Sequence, residues 1–516
     1  MLSSNLPPSS MDKAAVATAT LLSLACAWKL YRSRNNLPLP PGPPKLPLVG
    51  NLFQMPSFPV WEAYQRWSEE YDSDIIHLDA AGTSIVVLNS AKAINDLLEK
   101  RSRIYSSRPP APMVCDLMGW DWHFGFKVYG DEWRARRRTF LQIFHQKAAR
   151  QFEPQEIKHT RNLLRRLLDK PEDFLGHLQH HAAAVVMSVA YGLEIKPAHD
   201  AYVELADAAM HPLLLALTPG KFWVDSFPML KYVPSWLPGA GFKKYGEASH
   251  QLATAMVTKP FEDGKVIMEQ TGVPSFISSA LQKLDGKATP KQEQIIREAA
   301  GSMYLAGADT TVSAITTFIL AMLFAPEAQQ KAQEELDRVV PSGRLPDFSD
   351  EERLPYTTAL VKEALRWNNV APMALPHVLE VEDEYKGYRI PANTIVYGNV
   401  WAVLHDEQVY SEPFKFQPER FLRDGKVSYE DAPDPVTVFF GFGRRICPGR
   451  HMAYSSMWIT IASVLKMFRI SKAIDANGNI IEPTYKYRTG LVTSPEPFPC
   501  SIKPRISDAE DLLNHE

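Results

Sequence analysis

Cysteine is scarce in this 516-residue chain: four residues, Cys26, Cys115, Cys447 and Cys500. Four thiols so far apart cannot form a disulfide framework, and none sits in the C-x-x-C spacing of a structural zinc site. Asn-x-Ser/Thr acceptors are also absent, and both absences fit a reducing compartment. No G-x-G-x-x-G and no P-loop occurs, so the chain brings no nucleotide cradle of its own. Charge of one sign is missing too: 56 Lys+Arg against 59 Asp+Glu give a net −3, which excludes a nucleic-acid binder held by overall charge. Hydrophobic residues at 45% and charged residues at 22% exclude disorder for most of the chain and a multi-span membrane protein. Proline, by contrast, is plentiful at 41 residues, well above the ~5% average, so many connections are pinned.

The amino end carries the one candidate membrane segment. Ala14 to Trp28 contains no charge, and Lys29, Arg32 and Arg34 follow it. A full span needs ~20 residues, with ~17 near the lower limit. A cleaved signal peptide would place its basic residues before the run. Positive charge after it instead holds that flank in the cytosol. The expectation is a tail (1–13), a signal-anchor transmembrane helix (14–30) and a basic, Pro-rich hinge (31–47); a disordered or packed tail is the alternative. The hinge reads Leu37-Pro-Leu-Pro-Pro-Gly-Pro-Pro-Lys-Leu-Pro47, a stiff extended spacer.

Residues 48–505 contain no internal repeat and are expected to form one large, mainly helical domain with a minor β part, followed by an acidic tail (506–516). Short β-type runs occur at Ser84–Leu88 and Thr394–Tyr397, while ~140–370 is mostly amphipathic helix pattern. One helix stands out. Thr289-Pro290-Lys291-Gln292 reads as a capping box, and the pattern continues unbroken to Phe324 before Pro326 stops it. Its middle, Ala306-Gly-Ala-Asp-Thr-Thr311, puts Gly, Asp and Thr among apolar neighbours. A transmembrane helix from Val312 on is too short. The expectation is a buried helix with a groove beside Gly307, where an acid and a hydroxyl face a ligand.

The most informative stretch is Phe440-Gly-Phe-Gly443-Arg444-Arg445-Ile446-Cys447-Pro448-Gly449-Arg450-His451. A lone Cys is usually a small buried hydrophobe. Here glycines flank it, a helix pattern starts just after it, and three Arg surround it, all of which favour a thiolate. Such a sulfur is a metal ligand or a nucleophile; no His/Asn pair for a cysteine protease is evident, which favours the ligand.

At this point the residues resemble a family. Phe440-x-x-Gly443-x-Arg445-x-Cys447-x-Gly449 is similar to the haem-binding signature of the cytochrome P-450 superfamily. Glu363-Ala-Leu-Arg366, Phe416-Gln-Pro-Glu-Arg420-Phe421, Ala306–Thr311 and Trp133-Arg-Ala-Arg-Arg137 resemble its other motifs, in order. The anchor and hinge resemble the microsomal (class II) branch. The texture from Gly220 to Gly239 resembles fungal, basidiomycete-like members of secondary or xenobiotic metabolism.

The resemblance implies a cytochrome P-450 fold binding haem b, with Cys447 as the axial thiolate. It implies that Phe440, Gly443 and Gly449 shape the loop around that sulfur. Trp133, Arg137, Arg445 and His377 would meet the haem propionates, although the run Arg134 to Arg138 leaves open which Arg turns inward. Glu363, Arg366 and Arg420 would form a buried structural cluster. Asp309 and Thr310 match the family's proton-delivering acid–alcohol pair, with O2 as co-substrate. Walls for a small apolar substrate are implied at Met113, Phe126, Ala306, Val370, Leu375 and Leu491. Phe222, Trp223, Trp236 and Leu237 either dip into the bilayer or pack in the core. Electrons would come from NADPH through a separate NADPH–cytochrome reductase, with cytochrome b5 as a possible helper. The seven Lys/Arg against two acids between Lys127 and Arg150 form a local basic patch suited to that acidic partner. The expected location is the endoplasmic reticulum membrane, single-pass, with the catalytic domain cytosolic. The expected reaction is hydroxylation or epoxidation of a terpenoid, indole or aromatic compound. The rivals are a broad detoxifying monooxygenase, a haem-thiolate isomerase or dehydratase, and a non-catalytic haem sensor.

Overall fold

The computed structural model describes residues 37–57, 59–218, 220–285, 287–506 and 509–514. The expected tail and anchor, residues 1–30, and the first part of the hinge lie outside the described residues. The principal helices are α1 (Val60–Glu70), α2 (Asp131–Phe144), α3 (Glu153–Asp169), α4 (Phe174–Tyr191), α5 (Ala201–Ala216), α6 (Gly241–Thr271), α7 (Pro290–Phe324), α8 (Pro326–Val339), α9 (Pro355–Trp367), α10 (Arg450–Met467) and α11 (Ala509–Asn514).

The β part is small. Strands β1 (Ile75–Ala80) and β2 (Thr83–Leu88) form a hairpin around Ala81 and Gly82, both at positive φ, the backbone that a tight two-residue turn demands. β3 (His377–Val378) and β4 (Ile395–Gly398) complete a four-stranded sheet in the order β1-β2-β4-β3. β2 and β4 run parallel, with Ile85 opposite Ile395. β5 (Phe468–Lys472) pairs antiparallel with β6 (Cys500–Pro504). Both expected β-type runs therefore fall in one sheet, and helices make up most of the remainder.

Helix α7 organises the body. Its capping box forms as the sequence indicates: the Thr289 hydroxyl accepts from the Gln292 N–H, and the Gln292 side chain accepts from the Thr289 N–H. By length and composition α7 could cross a membrane, but its apolar residues are spent on the core. Ile296 to Leu305 pack in one cluster with residues of α2, α4 and α6 and with Trp120 and Trp122. Ala314 to Leu323 pack in a second with α3, α8, α9 and α10. Each fully buried Ile, Leu or Phe contributes ~1.5–3 kcal/mol, so both ends of α7 are fixed. Between the clusters the helix changes character, and Ala306 and Asp309 are solvent-accessible.

The segment expected as an acidic tail docks on the body. Ala509, Leu512 and Leu513 of α11 are buried in the second cluster, and Arg165 of α3 donates to the Leu513 carbonyl at 2.6 Å.

Candidate active site

The Cys447 loop is built by a tight run of backbone bonds. Arg445 N–H donates to the Phe442 carbonyl at 3.1 Å, Ile446 N–H to the Gly443 carbonyl at 3.2 Å, and Cys447 N–H to the Phe440 carbonyl at 2.7 Å. Gly443 has φ +54°, and a Cβ there would lie 2.1 Å from the Leu98 carbonyl oxygen. Only glycine satisfies both constraints. Its own N–H donates to the Glu99 carboxylate. Gly449 is the last residue before α10, and its N–H points at the Cys447 sulfur. Burial raises the thiol pKa, opposed by that N–H and by the positive charges of Arg137 and Arg450. A cation bound at the sulfur is what the thiolate form still needs.

Above this loop lies a concentration of buried positive charge. Trp133 and Arg137 both turn inward from α2, and Arg137 stands 5.8 Å from the Trp133 ring centroid. Arg445 stands closer to the same ring, at 4.4 Å. Arg445 donates to the carbonyls of Ser106 (2.6 Å) and Lys127 (2.6 Å). Burial first, then Arg108 and Arg137, push its pKa down to about 8. His377 opens β3 and is buried, with Nδ1 at 2.6 Å from the Tyr105 carbonyl oxygen. Arg108 was not predicted. It is buried and bonded to three carbonyls, those of Gly125, Leu375 and Pro376. Burial lowers its pKa to about 9. Among the described residues no carboxylate pairs with Arg108, Arg137 or Arg445. Three buried guanidiniums without an anion are costly, and they fit a cofactor that brings its own two carboxylates. The donor set therefore fits haem.

The sequence left open which Arg of the run turns inward, and two do. Arg136 is buried against Glu298 of α7, at 2.5 Å, and Arg137 faces the cluster just described. This corrects the basic patch: two of its seven cations are internal, and Arg134 is paired with Asp131 at 2.6 Å. Arg138, Lys147 and Arg150 remain exposed.

In the open middle of α7, Thr310 donates its hydroxyl to the Ala306 carbonyl (2.7 Å) and Thr311 to that of Gly307 (2.7 Å). Both protons are engaged, so each oxygen is left as an acceptor. Asp309 is exposed at the residue level, yet desolvation of its carboxyl, with Asp207 as a second negative neighbour, raises its pKa. The expected groove beside Gly307 is corrected. A Cβ there would meet Val186 of α4 at 2.9 Å, so Gly307 serves close helix packing, and the accessible positions are Ala306 and Asp309.

Glu363, Arg366 and Arg420 do come together. Glu363 accepts from Arg366 Nε (2.7 Å) and Nη2 (2.9 Å), from Arg420 Nε (3.1 Å) and from the Gln417 N–H (2.9 Å). Of the implied substrate walls, Met113 and Val370 are fully buried, while Phe126, Leu375 and Leu491 are half-buried. The loop after Leu491 is pinned to α7 by Ser313, whose hydroxyl donates to the Thr493 carbonyl, and to Val370 by the Thr493 N–H at 2.9 Å. Trp223 and Trp236 are exposed, as are Phe227, Met229 and Tyr232, whereas Phe222 packs 5.6 Å from Tyr245.

Comparisons with known proteins identify the family. The family model described as Cytochrome P450 matches residues 40–500. The chain belongs to the cytochrome P-450 family. Cytochrome P450 monooxygenase 98 of Postia placenta is 46% identical over 489 residues, covering 94% of each chain. Tryptamine 4-monooxygenase of Psilocybe cyanescens is 44% identical, covering 94% of this chain and 96% of that one. Cytochrome P450 monooxygenase ple1 of Rhodocybe pseudopiperita is 42% identical over 98% of both. The P-450 family implies haem iron with cysteine-thiolate ligation, and this P-450 is an oxidoreductase of the monooxygenase kind.

Proposed function

We propose that this monooxygenase uses O2 and NADPH-derived electrons to hydroxylate or epoxidise an apolar small molecule of the terpenoid, indole or aromatic class, in fungal secondary metabolism. Cys447 would hold the iron. Arg137 and Arg445, both close to Trp133, would neutralise the haem carboxylates. Bound haem supplies O2 binding and reductive O–O cleavage, which the electron push of a thiolate favours. The chain supplies protons and shelter. Asp309, with its pKa raised, holds a proton at higher pH than an ordinary carboxylate does, and the Thr310 oxygen is the acceptor beside it. Electrons arrive from a separate NADPH–cytochrome reductase, with cytochrome b5 as an auxiliary donor, docking where Arg138, Lys147 and Arg150 are exposed. The segment 14–30 anchors the chain in the endoplasmic reticulum membrane, and the exposed Trp223 and Trp236 meet the bilayer surface.

The observation that carries this reading is the buried cationic cluster close to Cys447, whose three guanidiniums form no ion pair with a carboxylate among the described residues. The test is expression with a reductase and a panel of terpenoid, indole and polyaromatic compounds, read by mass spectrometry under labelled O2. One labelled oxygen in the product, dependent on NADPH, is expected. Product formed without NADPH would make the enzyme a rearranging haem protein instead. A reduced, CO-treated sample without the red-shifted Soret band of thiolate haem would overturn the reading, as would a Cys447→Ala variant that keeps both pigment and turnover.

A further inference from the structure

We infer that Thr493 is the positioning residue that fixes two walls of the substrate space, Val370 and Leu491, against helix α7 one turn beyond Thr310. The assignment rests on the haem monooxygenase reading above, in which those two side chains face the substrate, and adds how their place is set.

Neither wall segment has much structure of its own. Helix α9 ends at Trp367, and Asn369 and Val370 are buried in the irregular chain beyond it. Buried carbonyls outside a helix or a ladder need donors from elsewhere. Leu491 lies in the turn of a hairpin with only two residue pairs, Tyr487 with Pro495 and Arg488 with Ser494. A hairpin that short does not hold its turn in place by itself.

Thr493, next to the last of those pairs, supplies what both segments lack. It is 1% exposed. Its N–H donates to the Val370 carbonyl at 2.9 Å. Its hydroxyl has one proton to give. The Asn369 carbonyl lies at 2.8 Å and the Val370 carbonyl at 3.5 Å, so that proton goes to Asn369. Its own carbonyl accepts from the hydroxyl of Ser313, a buried residue of α7. The N–H, the C=O and the hydroxyl of one residue thus join three pieces of chain. Ser313 lies three residues beyond Thr310, ~4.5 Å along the helix axis. The joint therefore ties the position of Val370 and Leu491 to the part of α7 that carries the distal hydroxyl. A valine has the shape of threonine but cannot make the bond, and it would leave the buried Asn369 carbonyl without this donor.

The test uses the full-length, haem-loaded protein and two probes that bind haem iron through nitrogen. Imidazole is too small to reach the walls, whereas the second ring of 1-phenylimidazole must pack on them. Dissociation constants are read from the Soret shift, and the ratio of 1-phenylimidazole to imidazole reports the walls. In Thr493→Val this ratio is expected to rise about fivefold, the loss of one hydrogen bond. Thr493→Ser keeps the hydroxyl and is expected to stay near wild type, and Ser313→Ala is expected to raise the ratio as T493V does. Thr460→Val is the control. Thr460 is also fully buried, with its hydroxyl 3.1 Å from His181 Nε2, and its loss is expected to lower the melting temperature and leave the ratio alone. A T493V ratio that is unchanged or lower, whatever its melting temperature, would overturn the assignment. So would a T493S that behaves like T493V, or a T460V that raises the ratio equally. If T493V is not recovered folded, S313A decides: a raised ratio supports the assignment and an unchanged one overturns it. Wild type that shows no Soret shift with imidazole defeats the haem reading itself, whereas wild type that binds both probes and a T493V indistinguishable from it defeat only Thr493.

Discussion

Individual side chains around Cys447 are fixed by constraints that admit few alternatives. Gly443 is the sharpest case, because both its positive φ and the Leu98 carbonyl exclude a side chain. Gly443→Ala is expected to cost about 1–3 kcal/mol in backbone strain, read as a lower melting temperature together with reduced haem content. Glu363 satisfies four donors from a fully buried position. Glu363→Ala leaves Arg366 uncompensated at about 3–5 kcal/mol, and the expected result is protein that holds no haem; normal incorporation would remove the cluster from its structural role. The distal pair has a pH signature. The Asp309 pKa is raised by desolvation and then by Asp207, so it favours the protonated form, and its contribution to stability is lost as pH rises through that value. Proton supply from Asp309 falls over the same window. Product formed per NADPH should therefore decline with rising pH in wild type. In Asp309→Asn, which cannot ionise, it should be low and flat. Thr310→Ala should consume NADPH and release peroxide; unchanged coupling would remove Thr310 from the mechanism.

At the scale of elements, α7 shows which features are readable from sequence and which are not. Its start and stop were legible because capping is local: Thr289 and Gln292 are three residues apart, and Pro326 acts on its immediate neighbours. Gly307 was misread because the reason for it, Val186 on α4, lies far away in sequence. A glycine in a helix interior costs ~1 kcal/mol, and sequence alone cannot say whether it makes room for a ligand or for a neighbouring helix. Adding the methyl group decides between them. Gly307→Ala should destabilise by about 1–3 kcal/mol through overpacking, and Val186→Ala should rescue much of that loss in the double variant. If Gly307 lined the ligand groove instead, Gly307→Ala would change substrate binding and Val186→Ala would rescue nothing. The run Arg134 to Arg138 was ambiguous for a similar reason. Successive helix residues point ~100° apart, so which of them face the core depends on where α7 lies, and its Glu298 claims Arg136. Arg108 left no local trace, since the three carbonyls that hold it come from two distant loops.

For the molecule as a whole, the mainly helical body and the ordered motifs were visible in the chain, but the distribution of surface charge was not. Counting Lys and Arg by position credits the stretch from Lys127 to Arg150 with seven cations. Folding takes Arg136 and Arg137 into the interior, leaves Lys127 half-buried, pairs Arg134 with Asp131, and leaves Arg138, Lys147 and Arg150 exposed, the last with Glu153 at 4.0 Å. An acidic electron donor docking on this face would meet chiefly those exposed cations. Exposed charges act chiefly on the rate of encounter and are screened by salt. The Debye length falls from about 30 Å at ~0.01 M to about 8 Å at ~0.15 M ionic strength. A triple Arg138→Glu, Lys147→Glu, Arg150→Glu variant should thus reduce the rate of first electron transfer from the reductase by about tenfold at low ionic strength. The deficit should shrink as salt is raised, while the CO spectrum stays that of wild type because none of the three residues is buried. Arg136→Gln should behave in the opposite way. It lies outside the contact face, so its electron-transfer rate should keep the wild-type salt dependence, while the unpaired Glu298 lowers the melting temperature. Equal salt dependence in the triple variant and wild type would place the electron entry site on another face of the protein.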